Sequence, residues 1–192
     1  MYYLLGRSRE PGRWIDDFPY YEDVDWSFGR SISVPVPDPL ECTLKRLNPQ
    51  SSDHSPHMPA YFVAEAPLFR DDFVEALRAF GVGNIDTYDI SITDPDNGQI
   101  HTNYKAVNII GLIAAADMAK SDATVHGDGP PLIDVDFDNL VLDESKIPKG
   151  MQIFRLAEST NAIMVHEKLR DFLIKRGFGD DLIFYDPSEV AL

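Results

Sequence analysis

The stretch DFLIKRGFGDDLIFYDP, Asp171 to Pro187, is an apolar helical pattern that ends at Gly-x-Gly and continues as an extended run closing on Tyr-Asp. The stretch EALRAFGVGNIDTYDIS, Glu75 to Ser91, has the same shape earlier in the chain. The offset is constant at 96 residues, for Gly177 against Gly81 and for the residues around them. Because helix, glycine and strand recur in this order, we predict two similar helix-Gly-strand units. The alternative is coincidence, since this supersecondary pattern is common.

Apolar residues at helical spacing define one face in each unit. The first face consists of Phe69, Phe73, Ala76, Leu77 and Phe80, and the second of Val165, Leu169, Phe172, Leu173 and Arg176. The glycines come after these helices, where a left-handed residue ends a helix. A phosphate-binding loop would need its glycines before a helix N-terminus. The repeat is therefore predicted to be architectural.

The remaining segments predict strands. YYLLGR, LECTLKRL and MQIFRLAE alternate or are short and apolar, and DPDNGQ before a long apolar run is typical of a hairpin turn. The sequence thus predicts an α+β fold with a mixed or mainly antiparallel sheet and a few packed helices. We expect a single domain over residues 1–192, with an irregular aromatic and acidic part over 1–59 and a core over 60–192 that contains the pseudo-repeat.

Composition limits the function classes. The chain has 192 residues, of which 44% are hydrophobic, and a single cysteine. That is enough apolar surface for a core, and one cysteine excludes an internal disulfide framework. The apolar run at the N-terminus is too short for a signal peptide, and no run is long enough to span a membrane. We therefore expect a cytoplasmic protein that makes no contact with a membrane.

Negative charge is the strongest compositional feature. The net charge is −15, and residues 94–145 contribute −8 of it. Such a surface repels phosphate backbones, so direct nucleic-acid binding is not expected. It attracts basic proteins and speeds their encounter. The alternative is that the acids only maintain solubility.

No local motif predicts catalysis, a cofactor or a metal. The group Asp53, His54 and His57 lies in a proline-containing loop and has no further ligand nearby. DVDFDN, residues 134–139, has calcium-loop spacing but lacks the glycine at the sixth position and the glutamate at the twelfth. Cys42 falls in a predicted strand and is expected to be a core residue. We therefore expect neither catalytic residues nor cofactors.

Two regions are candidates for contact with a partner. The aromatic-acidic segment (Arg13–Phe28, RWIDDFPYYEDVDWSF) interleaves rings with carboxylates, which suits binding to a basic protein. The alternative is that its rings anchor the segment to the protein's own core. The predicted contact residues are Trp14, Asp16, Asp17, Tyr20, Tyr21, Asp23, Asp25 and Trp26, together with Asp134, Asp136, Asp138, Asp143 and Glu144.

The chain resembles a known family over roughly residues 60–187. YKAVNIIGLIAAADMAKSD is similar to the family's Tyr-x-x-Val-Asn run with a following Asp and Ser, and APLFRDDFVEALRAFGVGNIDTY and the block IFRLAESTNAIMVHEKLRDFLIKRGFGDDLIFYDP also fit. In the first of these stretches the motif residues are Tyr104, Val107, Asn108, Asp117 and Ser121. The family is the eleventh family of immunity proteins of bacterial polymorphic toxin systems.

The resemblance implies a protein that binds and neutralises a cognate toxin, with no catalytic residues and no cofactor. The acidic composition is compatible with a basic toxin, for example a nuclease whose substrate the acids imitate. Two rivals remain open. One is a structural or adaptor module of a toxin or secretion system, and the other is an enzyme whose site is assembled from distant residues such as His101, His126 and Asp117.

Overall fold

The computed structural model describes residues 1–8, 12–50, 55–126, 135–189 and 191–192. Its strands are β1 (Tyr2–Arg7), β2 (Ile15–Asp17), β3 (Leu40–Leu44), β4 (Tyr61–Phe62), β5 (Leu68–Arg70), β6 (Ile85–Thr93), β7 (Ile100–His101), β8 (Tyr104–Ile109), β9 (Leu112–Ile113), β10 (Asp122–Val125), β11 (Val135–Asn139), β12 (Ile153–Leu156), β13 (Ile163–His166) and β14 (Leu182–Tyr185). The helices are α1 (Asp71–Phe80) and α2 (Glu167–Leu173), and a π-helical turn (Ile174–Phe178) extends α2. Single-turn 3-10 helices cover Glu144–Lys146 and Pro187–Glu189. The predicted α+β fold is confirmed.

The strands form two mixed sheets and a separate hairpin. The five-stranded sheet has the order β14-β1-β13-β12-β9, and the seven-stranded sheet has the order β2-β3-β6-β8-β5-β4 with β7 beside β6. Most pairs are antiparallel, but β3 pairs with β6 and β9 pairs with β12 in parallel. Strands β10 and β11 pair with each other.

The two helix-Gly-strand units have the same topology. In the first unit, β5 and β6 flank α1 and both pair antiparallel with β8, which lies between them. In the second, β13 and β14 flank α2 and both pair antiparallel with β1. Each unit is thus a β-α-β crossover with one antiparallel strand inserted. The inserted strand follows the first unit in sequence but precedes the second.

The glycines of the repeat occupy matching conformations. Gly81 ends α1 with φ of 100°, and Gly177 has φ of 94° after α2. A positive φ strains any residue that carries a Cβ, so glycine is required at both positions by the backbone. The predicted helix faces need one correction, because Phe69 and Val165 belong to strands β5 and β13. The helices begin only at Asp71 and Glu167.

The described residues form three apolar clusters, because successive side chains of each strand point to opposite faces of its sheet. The central cluster joins both helices to the facing sides of the two sheets, through residues such as Phe69, Phe73 and Val165. Neighbouring strand residues point the other way: Met164 enters a second cluster between the five-stranded sheet and the hairpin. Leu68 enters a third cluster on the outer side of the seven-stranded sheet.

The described part of residues 1–59 contributes strands to both sheets. Strand β1 lies inside the five-stranded sheet and β3 inside the seven-stranded sheet. Chain position 59/60 is therefore not a structural boundary, although the sequence changes character there. In the described part of the chain, no helix is long and apolar enough to cross a membrane.

Candidate functional site

A cleft opens where the β12–β13 connection faces the loop that follows β4. It has a larger lobe of about 510 Å³ and a smaller lobe of about 360 Å³. Tyr61, Val63 and Asn161 line both lobes and so join them into one depression. Depressions of this size are typical of sites for small molecules or for single side chains of a partner.

The two regions singled out in the sequence meet at this cleft. Trp26 and Ser27 of the aromatic-acidic segment line the smaller lobe. Val135 and Asp136 of β11 line the larger lobe. No local pattern indicates that both regions border one cleft, because more than a hundred residues separate them in the chain. The cleft is therefore bordered at its two ends by the predicted contact regions.

Most rings of the aromatic-acidic segment fasten it to the sheet. Trp26 is 3% exposed and packs edge-on against Phe18 and Tyr88, with ring centroids 6.2 and 5.3 Å away. Tyr21 packs against the same outer cluster. The Trp14 ring lies against the Arg7 guanidinium at 3.0 Å. The prediction of a direct partner contact is corrected for Trp26, whose ring is covered, and the anchoring alternative applies to it.

Tyr20 differs from these rings because it is 81% exposed. It lies between Asp17 and Asp23, both exposed. Asp16 and Glu22 are exposed as well, and within the described residues none of these four carboxylates forms an ion pair. Asp25, in contrast, is hydrogen-bonded within its own segment.

The Asp25 carboxylate closes a turn. Its Oδ1 accepts hydrogen bonds from the Ser27 amide at 2.8 Å, from the Ser27 hydroxyl at 2.7 Å and from the Phe28 amide at 3.2 Å. These bonds fix the backbone beside the buried Trp26 ring. Asp25 is therefore a structural residue of the segment, and less available to a partner than Asp17 or Asp23.

The acidic residues in and near β11 also include carboxylates with a local partner and carboxylates without one. Val135 and Phe137 are buried, whereas Asp136 and Asp138 are exposed, because side chains alternate between the two faces of a strand. The Asp136 carboxylate lies 2.7 Å from His126 Nε2, and no ion pair involves Asp138 within the described residues. The predicted contact Asp134 lies outside the described residues.

Asp143 and Glu144 have structural partners. The Asp143 carboxylate accepts bonds from the Ser145 amide at 3.1 Å and hydroxyl at 2.6 Å, and these bonds hold the pKa of Asp143 below its ordinary value. Glu144 lies 3.3 Å from the N-terminal amine of Met1. Asp143 thus has local hydrogen-bond partners, whereas the Glu144 pair is exposed and contributes little to stability. The predicted partner contacts of both residues stay predictions.

Sequence reasoning missed the most unusual side chain of the cleft. Arg155 of β12 lines the smaller lobe and is 3% exposed. Its Nη1 donates to the Thr160 carbonyl at 2.7 Å, whereas Nε has no partner among the described residues. Burial lowers the pKa of Arg155. The available signal was a single cation inside the apolar run MQIFRLAE.

The residues of the enzyme alternative do not converge. His101 pairs with Ile92 in the seven-stranded sheet, whereas His126 directly follows β10 in the separate strand pair. The Asp117 carboxylate lies 2.7 Å from Lys120 Nζ and contacts neither histidine. In the described ranges, no group of three or more His, Cys, Asp or Glu residues could hold a metal ion. Burial raises the pKa of the Cys42 thiol to about 12, so this residue is a core thiol and a poor nucleophile.

The motif residues behind the family resemblance are mainly core residues. Tyr104, Val107 and Asn108 lie in β8 and are fully buried. The Tyr104 hydroxyl donates to the Pro59 carbonyl at 2.8 Å, and Asn108 Nδ2 donates to the Arg30 carbonyl at 2.8 Å. These residues build the sheet and do not form a surface for a partner.

Comparison with known proteins gives no assignment. No protein-family model matches the chain, and no curated protein matches it. The resemblance to the immunity-protein family therefore stays a prediction drawn from the sequence.

Proposed function

We propose that this protein is an immunity protein that binds a cognate bacterial toxin stoichiometrically in the cytoplasm and neutralises it through an acidic surface. The observation that carries the proposal is the exposed ring of Tyr20 among carboxylates that have no ion-pair partner in the described part of the chain. A large exposed ring framed by unpaired charges of one sign is the composition of a protein-binding hot spot with electrostatic steering.

The way the segment is held supports this role. Trp26, Phe18 and Tyr21 fix it to the outer core of the seven-stranded sheet. Its exposed residues are therefore presented on a supported backbone, which reduces the entropy lost on binding. Within this segment, the predicted contacts narrow to Tyr20, Asp16, Asp17 and Asp23.

The negative charge of this protein indicates that the expected partner is basic. A protein with a net charge of −15 is attracted to a basic protein at long range, and added salt weakens such attraction. A basic nuclease is one such partner, because its active site is built to receive the negative charges of a phosphate backbone. We expect the toxin to be encoded beside this protein.

The test compares two double charge reversals that change the net charge equally. Asp17→Lys with Asp23→Lys alters the proposed interface, and Glu75→Lys with Asp180→Lys alters exposed acids elsewhere. The product of the neighbouring open reading frame is the binding partner, and isothermal titration at low and high salt is the measurement. We expect about a tenfold loss of affinity for the first double variant, with little change for the second.

Tyr20→Ala sharpens the test, since loss of a hot-spot ring costs about 2 kcal/mol or more of binding free energy. Protection of cells by co-expression with the toxin is the functional measurement. Equal losses in both double variants would show that only the net charge matters and that the interface is misplaced. If the unaltered protein neither binds nor protects, the immunity function is wrong and an adaptor role becomes the better explanation.

A further inference from the structure

Arg155 is a buried cation without an anion. Within the described residues no carboxylate lies within ion-pair distance of it, although the chain contains 32 acidic residues. The Nη1 atom is bonded to the Thr160 carbonyl, and neither Nε nor Nη2 donates to any described residue. A buried charge is costly unless it is paired. The fold thus leaves Nη2 and the buried Nε without a described protein partner in a residue that lines the cleft.

Two acidic side chains close to Arg155 or its lobe do not complete the pair. Asp25 is close enough to raise the pKa of Arg155 against the effect of burial. Its Oδ1, however, is engaged by Ser27 and Phe28. Glu65 lines the same lobe but forms no ion pair there. Two carboxylates lie near the cleft, and the cation remains without direct contact to either.

We propose that the smaller lobe of the cleft binds a carboxylate carried on an apolar group, and that Arg155 is the anion-binding residue. The side edge of a guanidinium, formed by Nε and Nη2, matches the two oxygens of a carboxylate. Since Thr160 holds Nη1, the side chain is already oriented when the ligand arrives. This inference does not depend on the proposed function.

The residues that line the lobe indicate which group the carboxylate is attached to. Tyr61, Val63, Pro67 and Ile163 give it an apolar lining, which suits an aliphatic or aromatic substituent beside the carboxylate. Asn161 lines both lobes, and an asparagine amide can donate to a carbonyl or accept from an amide of a longer ligand.

The electrostatics favour a carboxylate over a phosphate. One guanidinium balances a single negative charge. Glu65 in the lobe and Asp25 nearby add negative potential, as does the net charge of the chain. A dianionic phosphate would meet repulsion that a monoanion largely escapes. Two sources of the carboxylate remain, a free small acid and the C-terminus of a peptide, and both have the same recognition chemistry.

The experiment uses the full chain and isothermal titration with matched probes. Phenylacetate represents the free acid, and acetyl-alanyl-leucine represents a peptide C-terminus. Phenylacetamide and acetyl-alanyl-leucinamide are the neutral counterparts, and inorganic phosphate is the competing anion. We expect at least one acid probe to bind about tenfold or more tightly than its amide, as for a hydrogen bond to a charged group, and phosphate to bind more weakly.

Three variants test whether the acid binds in the smaller lobe. Arg155→Met should lower the affinity for the acid probe by about tenfold or more, whereas Arg176→Met, at an exposed arginine, should leave it unchanged. Arg155→Lys keeps the charge without the planar edge and should bind less tightly than the unaltered protein. Binding of phenylacetate identifies a small acid as ligand, and binding of the peptide acid alone identifies a peptide C-terminus.

Four results would overturn the proposal. The first is equal affinity for the acids and the amides, and the second is affinity for phosphate that matches the best acid probe. The third is an acid affinity that survives Arg155→Met, and the fourth is the absence of binding by either acid at millimolar concentration. No toxin takes part in these measurements, so their failure leaves the proposed immunity function untouched.

Discussion

Arg13 and Arg155 are both buried, yet their surroundings differ. Arg13 is 2% exposed, and its guanidinium contacts Asp94 at 2.8 Å and Asp96 at 2.7 Å. Arg155 is 3% exposed and contacts no carboxylate among the described residues. The first arginine ties the start of the aromatic-acidic segment to the β6–β7 turn. The second faces a cleft and has one peptide carbonyl as a partner.

The difference separates a structural charge from a functional one. Selection for stability alone pairs a buried charge or replaces it with an apolar residue. Arg13 follows that rule, and its carboxylates are further fixed by backbone amides, such as the Leu47 amide 2.9 Å from Asp96 Oδ2. Arg155 does not follow this rule, because it is buried beside the cleft without a described carboxylate partner. The departure is explained if the missing anion is supplied by a ligand.

The largest effect is expected from Arg13→Met. Removal of the guanidinium leaves the carboxylate of Asp94, which is 7% exposed, without its cation. Loss of one partner from a buried pair costs about 3–5 kcal/mol. Urea unfolding followed by circular dichroism measures this loss, with Arg176→Met as the control. A loss below about 1 kcal/mol would mean that the Arg13 pair is not a structural tie.

A much smaller effect on stability is expected from Arg155→Met. The change removes an unpaired buried charge, which favours the folded state, and loses the bond to Thr160, which costs about 1 kcal/mol. The free energy of unfolding should therefore change by less than about 1 kcal/mol. The same urea experiment measures it. A loss as large as that of Arg13→Met would show that Arg155 is structural, and the comparison between the two arginines would fail.

The sequence was sufficient to predict the repeated helix-Gly-strand unit, but not which strands pair with it in the sheets. Gly81 and Gly177 lie at a fixed offset and both require a left-handed conformation, so the local signal was strong. The helix starts were missed because Phe69 and Val165 fit the helical spacing. Their strand pairing with β8 and β1 decides their conformation instead, and this long-range effect overrides local periodicity.

The cleft could not be predicted for a related reason. Trp26, Val63 and Arg155 come from three distant segments, and no local pattern indicates that they converge. The acids were visible in the sequence. What the sequence could not distinguish is an acid with a local partner, such as Asp143, from one without, such as Asp17. That distinction decides which carboxylates are available to another protein.

Glu158 is the negative counterpart of Arg155 and gives the smallest predicted effect. It is 5% exposed, its Oε1 accepts from the Ala116 amide at 3.3 Å, and its Oε2 has no partner in the described part of the chain. Burial raises the pKa of Glu158 above its ordinary value of 4.5. The stability contributed by this raised pKa is therefore complete below pH 4.5 and is lost as the pH rises through the folded-state pKa.

Glu158→Gln removes the ionisation and keeps an oxygen for the Ala116 amide. We expect the variant to be more stable than the unaltered protein at neutral pH by less than about 1 kcal/mol, and the difference to shrink near pH 4.5. Urea unfolding at both pH values measures this, with exposed Glu189→Gln as the control. A variant less stable at neutral pH would show that the Glu158 carboxylate is held by Lys146, which lies within electrostatic reach. Glu158 would then resemble Arg13, and Arg155 alone would be an unpaired buried charge among these three residues.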